Sequence, residues 1–474
     1  MATPANKLLE GPILRSLLFL AVPIAMANVL QAAYQLIDAF WVGRLGGSAV
    51  AAVSVSTPII FLTIGIGAGL AIAGSTLVAQ YYGAHNEHMV DHVAAQTLLM
   101  IVVVSVVLGA VGYVAAPAIL RLMGVAPDVY TGALGFMRVS FVGLVFNFFF
   151  FMFQSLMRGV GEAKLPVFIV LGTVMLNFLL DPLFIFGWGP VPPTGVTGAA
   201  LATVGTQSLA AVIGLAIMLR GRYGIHLAWR DFVPDPAYIK RAFFLGFPAS
   251  IEQSARALGL TVLTFLIASF GTLTVAAYGV GSIVLQVVMI PAMGLSMAVS
   301  ALVGQNIGAG NIDRAERIGR LGTWMGFWIL TTLGAIVFLF ARQLVAFFIP
   351  SDAMVIAKGS EYLRIMALSW GFMGAQFSMT GVLRASGNMV MTMVLTLVSQ
   401  WVLQFPLAYV LSEHTPLGER GIWWAFPISY FLIALITAGV YAQGDWKRKR
   451  LTEPEDDLRD QVSSEITLEE GRGA

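Results

Sequence analysis

Long stretches without Asp, Glu, Lys or Arg alternate with short polar segments along most of this chain. A helix that crosses a lipid bilayer needs roughly 20 apolar residues. Six stretches are long enough for one crossing, and three are long enough for two, with Gly- and Pro-rich breaks where a turn is expected. The single stretches are 16–37, 93–120, 139–157, 321–341, 365–383 and 421–444, and the double ones are 45–84, 182–219 and 257–312. The pattern therefore predicts twelve transmembrane helices.

The predicted elements are helices because the stretches are apolar at consecutive positions. A strand of a membrane barrel alternates apolar and polar side chains, and these stretches do not alternate. The predicted helices span residues 14–38, 51–82, 93–119, 133–157, 165–187, 197–219, 240–268, 276–306, 319–346, 360–383, 390–412 and 421–443. The fold class that we expect is an all-α integral membrane protein.

Two segments of the chain share one sequence pattern at an offset of 225 positions. Residues 69–86 align without a gap with residues 294–311, and ten of the eighteen positions are identical. The same offset aligns Phe19-Leu-Ala-Val-Pro23 with Phe244-Leu-Gly-Phe-Pro248. The chain is therefore a tandem duplication of two six-helix halves. Transporters built in this way place their substrate at the interface between the halves.

The duplication also sets the expected division of the chain. Arg158-Gly-Val-Gly161 aligns with Arg384-Ala-Ser-Gly387 at an offset of 226, so the register of the halves drifts little. Six helices return the chain to its starting side, which makes the halves parallel repeats about an axis along the membrane normal. We expect an N-terminal half at 1–219, a cytoplasmic linker at 220–239, a C-terminal half at 240–445 and a charged, disordered cytoplasmic tail at 446–474.

The distribution of Lys and Arg predicts the orientation in the membrane. Cytoplasmic loops carry an excess of these residues. With a cytoplasmic N-terminus, the inner segments hold most of the basic residues. The outer segments hold only Arg44, Arg121, Arg138, Arg342, Lys358, Arg364 and Arg420. We therefore expect a multi-pass protein of the inner cell membrane with both termini in the cytoplasm.

The composition excludes several classes of function. Hydrophobic residues make up 58% of the chain and charged residues 11%, at a mean hydropathy of +0.83, whereas soluble domains carry about 25% charged residues. A net charge of +2, spread over loops, provides no surface for nucleic acid. The absence of cysteine excludes disulfides and thiolate metal sites. No Gly-x-x-x-x-Gly-Lys-[Ser/Thr] motif occurs, so we expect no ATP hydrolysis. We also expect no enzymatic activity and no cofactor.

Few ionisable residues lie within the predicted helices, and a charge at bilayer depth is costly and usually functional. Asp38 ends the first helix, and Asp181 lies in the fifth, four positions after Asn177 and therefore on the same helix face. Burial disfavours the charged form of a carboxyl group, so such a group can exchange protons near physiological pH. Alternatively, two carboxylates and an amide oxygen could coordinate sodium, a hard cation. We expect Asp38 and Asp181 to share one cation site near the outer ends of their helices.

Glu252 and Arg256 form a second pair, four positions apart in the seventh predicted helix. One interpretation is an internal ion pair that neutralises itself and takes no part in transport. The other is that Glu252 contributes to the binding of substrate or cation. The sequence leaves both interpretations open.

Together these features resemble the multidrug and toxic compound extrusion (MATE) transporters over about residues 10–445. The resemblance rests on the two six-helix halves and on five short motifs. The motifs are Tyr34-Gln-Leu-Ile-Asp-Ala-Phe-Trp-Val-Gly43, Val78-Ala-Gln-Tyr-Tyr-Gly-Ala84, Asn177-Phe-Leu-Leu-Asp-Pro182, Gly195-Val-Thr-Gly-Ala-Ala200 and Val303-Gly-Gln-Asn-Ile-Gly-Ala309.

The resemblance implies a V-shaped pair of six-helix lobes that exports bulky, often cationic amphipathic compounds in exchange for protons or sodium. In members similar to this chain, the N-terminal lobe holds the coupling cation at positions that match Asp38, Asn177 and Asp181. Gln31 and Tyr34 match positions that line the substrate cavity.

The resemblance also indicates a branch of the family. In another branch, an acid in the tenth helix of the C-terminal lobe is important, but residues 371–381 of this chain contain no acid. The pattern therefore suits the DinF-like branch better, although Glu252 matches an acidic position of the other branch.

We therefore expect a monomeric efflux transporter whose partners are an amphipathic small molecule, a coupling proton or sodium ion, and membrane lipid. The expected substrate cavity includes Gln31, Tyr34, Glu252 and Arg256. The alternative is a flippase of a lipid-linked or amphipathic precursor. Flippases of related architecture commonly have extra helices and a strongly cationic cavity, and the sequence offers only Arg256 for that role.

Overall fold

A computed structural model describes residues 9–190, 192–350 and 352–452, and the long elements among them are helices. The first half contains α1 (Ile13–Gly43), α2 (Gly47–Gly83), α3 (Glu87–Leu122), α4 (Pro127–Gly159), α5 (Lys164–Phe186) and α6 (Val196–Arg220). The second half contains α7 (Pro236–Ala268), α8 (Thr272–Gly308), α9 (Ile312–Phe348), α10 (Ala353–Ala367), α11 (Trp370–Ala385), α12 (Met389–Glu413) and α13 (Glu419–Gln443). From residue 453 onward, the predicted tail lies outside the described residues.

Eleven of the described helices are long and apolar enough to cross a membrane. The other two, α10 and α11, follow one another across Leu368 and Ser369 and together cover the predicted tenth span. The Ser369 hydroxyl donates to the carbonyl oxygen of Met366 at 2.9 Å, and such bonds compete with the regular helical pattern. The prediction of an all-α fold with twelve spans is confirmed, while the division of the tenth span was not visible in the apolar pattern.

The α12 helix contains a second irregularity, a π-helical segment at Val398–Gln404. Segments of this kind occur mostly as single turns within α-helices, frequently at functional sites. Two of its side chains, Gln400 and Gln404, line a cavity of about 290 Å³ within the second half.

Glycines with positive φ occupy the same turns in both halves. Gly46 has a φ of 104° just before α2, and Gly271 has a φ of 96° just before α8. Gly221 ends α6 and Gly444 ends α13, both in the left-handed conformation. Only glycine adopts these angles without steric cost, so the duplicated glycines place equivalent turns in the two halves.

Each half has its own apolar core, and a third apolar cluster joins the two. Phe148 and Phe153 are buried in the first half, and Trp370 and Trp423 are buried in the second. The joining cluster contains Leu17, Leu20 and Ile24 of α1 and Leu295, Leu302 and Ile307 of α8. Large apolar side chains also cover the outside, among them Val114, Phe168 and Phe265. An apolar exterior of this kind fits a lipid environment.

The first helix of each half packs against the second helix of the other half. A Cβ on Gly294 of α8 would lie 3.0 Å from the carbonyl oxygen of Ala21 in α1. A Cβ on Gly69 of α2 would lie 2.2 Å from the backbone nitrogen of Ser250 in α7. Because Gly69 and Gly294 are 225 positions apart, the two contacts are related by the duplication.

We call the end of the bundle at which α1 begins and α13 ends the terminal face. There the duplicated motifs of α2 and α8 meet. The Gln80 amide donates to the carbonyl oxygen of Ala385 at 2.7 Å, and the Gln305 amide donates to that of Gly159 at 2.8 Å. Each glutamine thus binds the end of a helix in the opposite half, and the two bonds are equivalent under the duplication.

Two glycines let the backbones approach at this contact. A Cβ on Gly83 would lie 1.9 Å from the carbonyl oxygen of Gln305, and one on Gly308 would lie 1.9 Å from that of Gln80. No side chain fits at such distances, so the halves close on one another only because both positions are glycine.

We expect Gly83→Ala to destabilise the closed contact. The added methyl group must push the helices apart, and overpacking of this kind costs about 1 to 3 kcal/mol. Thermal unfolding of the purified protein in detergent should show a lower Tm.

Gly172→Ala is the matched control, because nothing lies within 4 Å of a Cβ at that position of α5. Its Tm should stay the same or rise, since Ala favours a helix over Gly by about 1 kcal/mol. Equal Tm values for the two variants would show that the contact does not depend on Gly83.

Candidate functional site

Three helices of the first half bring polar side chains together near the end opposite the terminal face. Tyr34 and Asp38 lie one turn apart on α1, and Asn177 and Asp181 lie one turn apart on α5. The third helix, α6, adds Thr206. Since residues four apart share a helix face, each helix presents its polar groups to the same point. We call these five residues the carboxylate cluster.

The Asn177 amide links the two acids. Its Nδ2 donates to Asp38 Oδ1 at 2.6 Å and to Asp181 Oδ2 at 3.0 Å. Asn177 and Asp181 are fully buried, whereas Asp38 is partly exposed. The sequence predicted that the two acids lie on the same side of the membrane. In the structure, both carboxyl groups accept a hydrogen bond from the Asn177 amide.

Tyr34 binds the oxygen atom of the same amide. Its hydroxyl donates to Asn177 Oδ1 at 2.8 Å and lies 2.6 Å from Thr206 Oγ1. The sequence grouped Tyr34 with the substrate cavity, but the structure places its hydroxyl in the carboxylate cluster. Thr206 was missed, because a threonine in an apolar helix has no distinctive signal in one sequence.

The cluster holds two carboxyl groups without a basic partner. In the part of the chain that the structure describes, neither Asp38 nor Asp181 makes a salt bridge with Lys or Arg. The buried Asp181 Oδ1 also has no hydrogen-bond partner. Two ionised carboxylates that bind the same amide nitrogen repel one another, so their charge must be balanced by a proton or a small cation.

A side cavity of about 340 Å³ reaches the cluster at Asp38. Its lining includes the polar side chains of Gln35, Asn147, Thr203 and Gln207. Most of the remaining lining is apolar, so these polar groups and Asp38 are the places in the side cavity where water or an ion would bind.

A second, larger cavity of about 760 Å³ lies between the two halves. We call it the central cavity. Its walls come from α1, α2 and α4 of the first half and from α7 and α8 of the second. Gln31 and Arg256, two of the residues predicted for the substrate site, line it. Most of the other lining residues are apolar, which is typical of cavities that accept organic molecules.

Glu252 lies behind the wall of the central cavity and is fully buried. Its Oε1 accepts a hydrogen bond from Arg256 at 3.4 Å and a closer one from Arg384. The predicted pair of Glu252 and Arg256 is therefore part of a triad, and Arg384 holds the carboxylate more tightly. Arg384 was not among the predicted site residues, although its alignment with Arg158 at an offset of 226 marked it as a position shared by both halves.

Comparison with known proteins adds a family match and relatives that cover most of the chain. A family model described as MatE matches residues 23–183 and 248–410, segments that start 225 positions apart, as the duplicated motifs do. The probable multidrug resistance protein YoeA of Bacillus subtilis is 32% identical over 92% of this chain and 95% of its own length. The FAD transporter of Shewanella oneidensis is 26% identical over 90% of this chain and 94% of its own.

The fold also matches solved structures. A multidrug resistance MATE family transporter of the MOP superfamily, in an outward-facing conformation, superposes with a TM-score of 0.87. The match covers 94% of this chain and 98% of that chain at 24% identity. At this identity the likeness shows the fold alone.

We expect Tyr34→Phe to lower the stability of the first half. The substitution leaves Asn177 Oδ1 and Thr206 without their shared partner, and an unsatisfied buried polar group costs about 1 to 3 kcal/mol. Thermal unfolding in detergent should show a lower Tm. Tyr113→Phe is the control, because Tyr113 is exposed and its ring contact with Arg138 survives the loss of the hydroxyl. If both variants unfold at the temperature of the parent protein, the Tyr34 hydroxyl does not stabilise the cluster.

Proposed function

This chain belongs to the MatE family of transporters, and we propose that it is a secondary active efflux transporter that exports amphipathic organic compounds in exchange for protons. Asp38, Asn177 and Asp181 form the coupling site of this proposal, and the central cavity holds the cargo. One observation carries it: two carboxyl groups share a single amide at membrane depth, with no basic partner among the described residues.

The arrangement of the amide favours protons over sodium. Asn177 turns its nitrogen to both carboxyl groups and its oxygen to Tyr34. A sodium ion takes oxygen ligands, so Asn177 could help to bind sodium only if this amide turned round. A proton needs no rearrangement, because a protonated carboxyl group keeps acceptor oxygens for the amide.

Helix α1 connects the coupling site to the contact between the halves. Asp38 lies near one end of α1, whereas Ala21 near the other end packs against Gly294 of the second half. Between them, Asn28 and Gln31 line the central cavity, and Pro23 interrupts the helical hydrogen bonds. A change in charge at Asp38 that bends α1 would therefore alter both the cavity wall and the contact. This linkage supports transport by rocking of the two halves.

Family membership leaves the cargo open. Relatives of this chain carry names that refer to multidrug resistance and to FAD, an anionic molecule. The MATE resemblance implied cargo that is often cationic, but no carboxylate lines the central cavity among the described residues. We propose a monomer in the inner cell membrane with both termini in the cytoplasm. The excess of Lys and Arg in the segments at the terminal face supports this orientation.

We expect Asp38→Asn to abolish gradient-driven transport. The variant keeps the shape of the side chain but cannot exchange a proton, so uptake of a fluorescent amphipathic dye into proteoliposomes should fall about tenfold or more. Asp128→Asn, at an exposed position in the first turn of α4, should leave uptake unchanged. Undiminished uptake by Asp38→Asn would exclude Asp38 from coupling.

We expect a pH gradient, and not a sodium gradient, to drive dye uptake. Protons leaving an acidic lumen bring dye inward, so uptake should increase with the pH difference and stop when a proton ionophore collapses it. A sodium gradient of equal size, imposed at uniform pH, should leave uptake at the passive rate. Uptake that follows sodium alone would contradict proton coupling.

A further inference from the structure

The central cavity carries positive charge that the protein does not balance. Arg158 of α4 and Arg256 of α7 line it, and no Asp or Glu lines it within the described residues. Glu252, the acid that binds Arg256, also binds Arg384. Three guanidinium groups against one carboxylate leave a net charge of +2 around the cavity.

The duplication shows which acid is missing. Arg384 in the second half corresponds to Arg158 in the first, and Glu252, its partner, corresponds to Ala27. Ala27 and Arg158 both line the central cavity. The second half thus neutralises its arginine with a buried acid, whereas the first half has a methyl group in that place.

The position of Arg158 at a helix end does not account for its charge. A basic residue in the last turn interacts favourably with the helix dipole, and Arg158 is in the last turn of α4. Arg384 is in the last turn of α11 as well, yet it also has a carboxylate. Within the described residues, the Arg158 guanidinium group makes no salt bridge and no hydrogen bond. Arg158 is half-buried and lines the cavity instead.

Arg256 lies midway along α7, and an ionisable group inside a transmembrane segment usually has a functional role. Arg158 adds a second positive charge at the end of the cavity nearest the terminal face. Guanidinium groups bind carboxylate, sulfonate and phosphate groups through paired hydrogen bonds. Gln154 lies one turn before Arg158 and adds an amide to the same wall, while Phe61, Phe151 and Met293 provide apolar surface. The cavity therefore offers the cationic groups and the apolar surface that an amphipathic anion would need.

We propose that the central cavity selects amphipathic organic anions, with the anionic group bound by Arg158 and Arg256. This assignment rests on the proposed transport function and names its cargo. In this assignment, the proton and the anionic cargo bind at different places. The proton binds at Asp38 and Asp181, and the anion binds in the central cavity. Cargo and proton then do not compete for the same carboxylates.

Two dyes with the same three-ring xanthene core and opposite charge test the proposal. Binding of 6-carboxyfluorescein and of rhodamine 123 to the purified full-length protein is measured by fluorescence polarisation without any gradient. We expect the anionic dye to bind about tenfold more tightly than the cationic one. Arg158→Gln should weaken binding of 6-carboxyfluorescein about tenfold or more, and Arg121→Gln, at an exposed position in the last turn of α3, should not change it.

The most direct variant introduces the acid that the first half lacks. Ala27→Glu places a carboxylate where the second half has Glu252, and Ala27→Gln has the same size without the charge. We expect Ala27→Glu to weaken 6-carboxyfluorescein binding about tenfold relative to Ala27→Gln and to strengthen rhodamine 123 binding. Thermal unfolding of each variant verifies that it folds. If Ala27→Glu does not fold, the comparison of Arg158→Gln with Arg121→Gln still tests the proposal.

Tighter binding of rhodamine 123, or 6-carboxyfluorescein binding that is insensitive to both Arg158→Gln and Ala27→Glu, would overturn the proposal. Coupling is tested separately, since Asp38→Asn should keep dye binding while losing transport. A third probe, fluorescently labelled phosphatidylglycerol in proteoliposomes, distinguishes the source of the anion. Arg158-dependent movement of this lipid between leaflets would support the anion site, identify a lipid headgroup as its ligand, and replace efflux of soluble compounds by the flippase activity.

Discussion

The contact between Gln80-x-x-Gly83 and Gln305-x-x-Gly308 holds the two halves together at the terminal face. Each glutamine donates to a helix end of the opposite half, and each glycine admits a backbone carbonyl at a distance that no side chain allows. Because the backbones touch at this end, the halves enclose the central cavity beyond it. The contact is small and polar and made of equivalent parts, and the apolar cluster of α1 and α8 joins the halves beside it.

The two halves share a backbone plan but differ in their charges. The acids of the carboxylate cluster occur only in the first half, where Asp38 and Asp181 bind the amide of Asn177. The buried acid Glu252 binds Arg384 in the second half, and the equivalent position of the first half is Ala27. The duplicated scaffold is thus symmetric, while its buried charges are not. In the proposed function, proton exchange belongs to the first half, and both halves contribute to cargo binding.

Much of the fold could be predicted from the sequence, because the membrane requires long apolar helices and the duplication repeats their order. The candidate site could be predicted in part. Asp38 and Asp181 stood out, since a charge in an apolar helix is rare. Thr206 could not be found, because a threonine in an apolar helix is common. The place of Tyr34 in the cluster also escaped prediction, since sequence spacing does not say which neighbouring helix a side chain meets. Residues 143 positions apart meet only after α1 and α5 have packed.

The sequence by itself determined the twelve spans, the two related halves and the identity of the few buried charges, because each depends on composition and spacing along the chain. Only the tertiary structure decided which charges meet. It paired Glu252 more closely with Arg384 than with its sequence neighbour Arg256. It also left Arg158 facing a cavity that no acid lines in the described part of the chain. The physical reason is that electrostatic energy depends on distance and burial, and both are set by how helices far apart in the chain pack together.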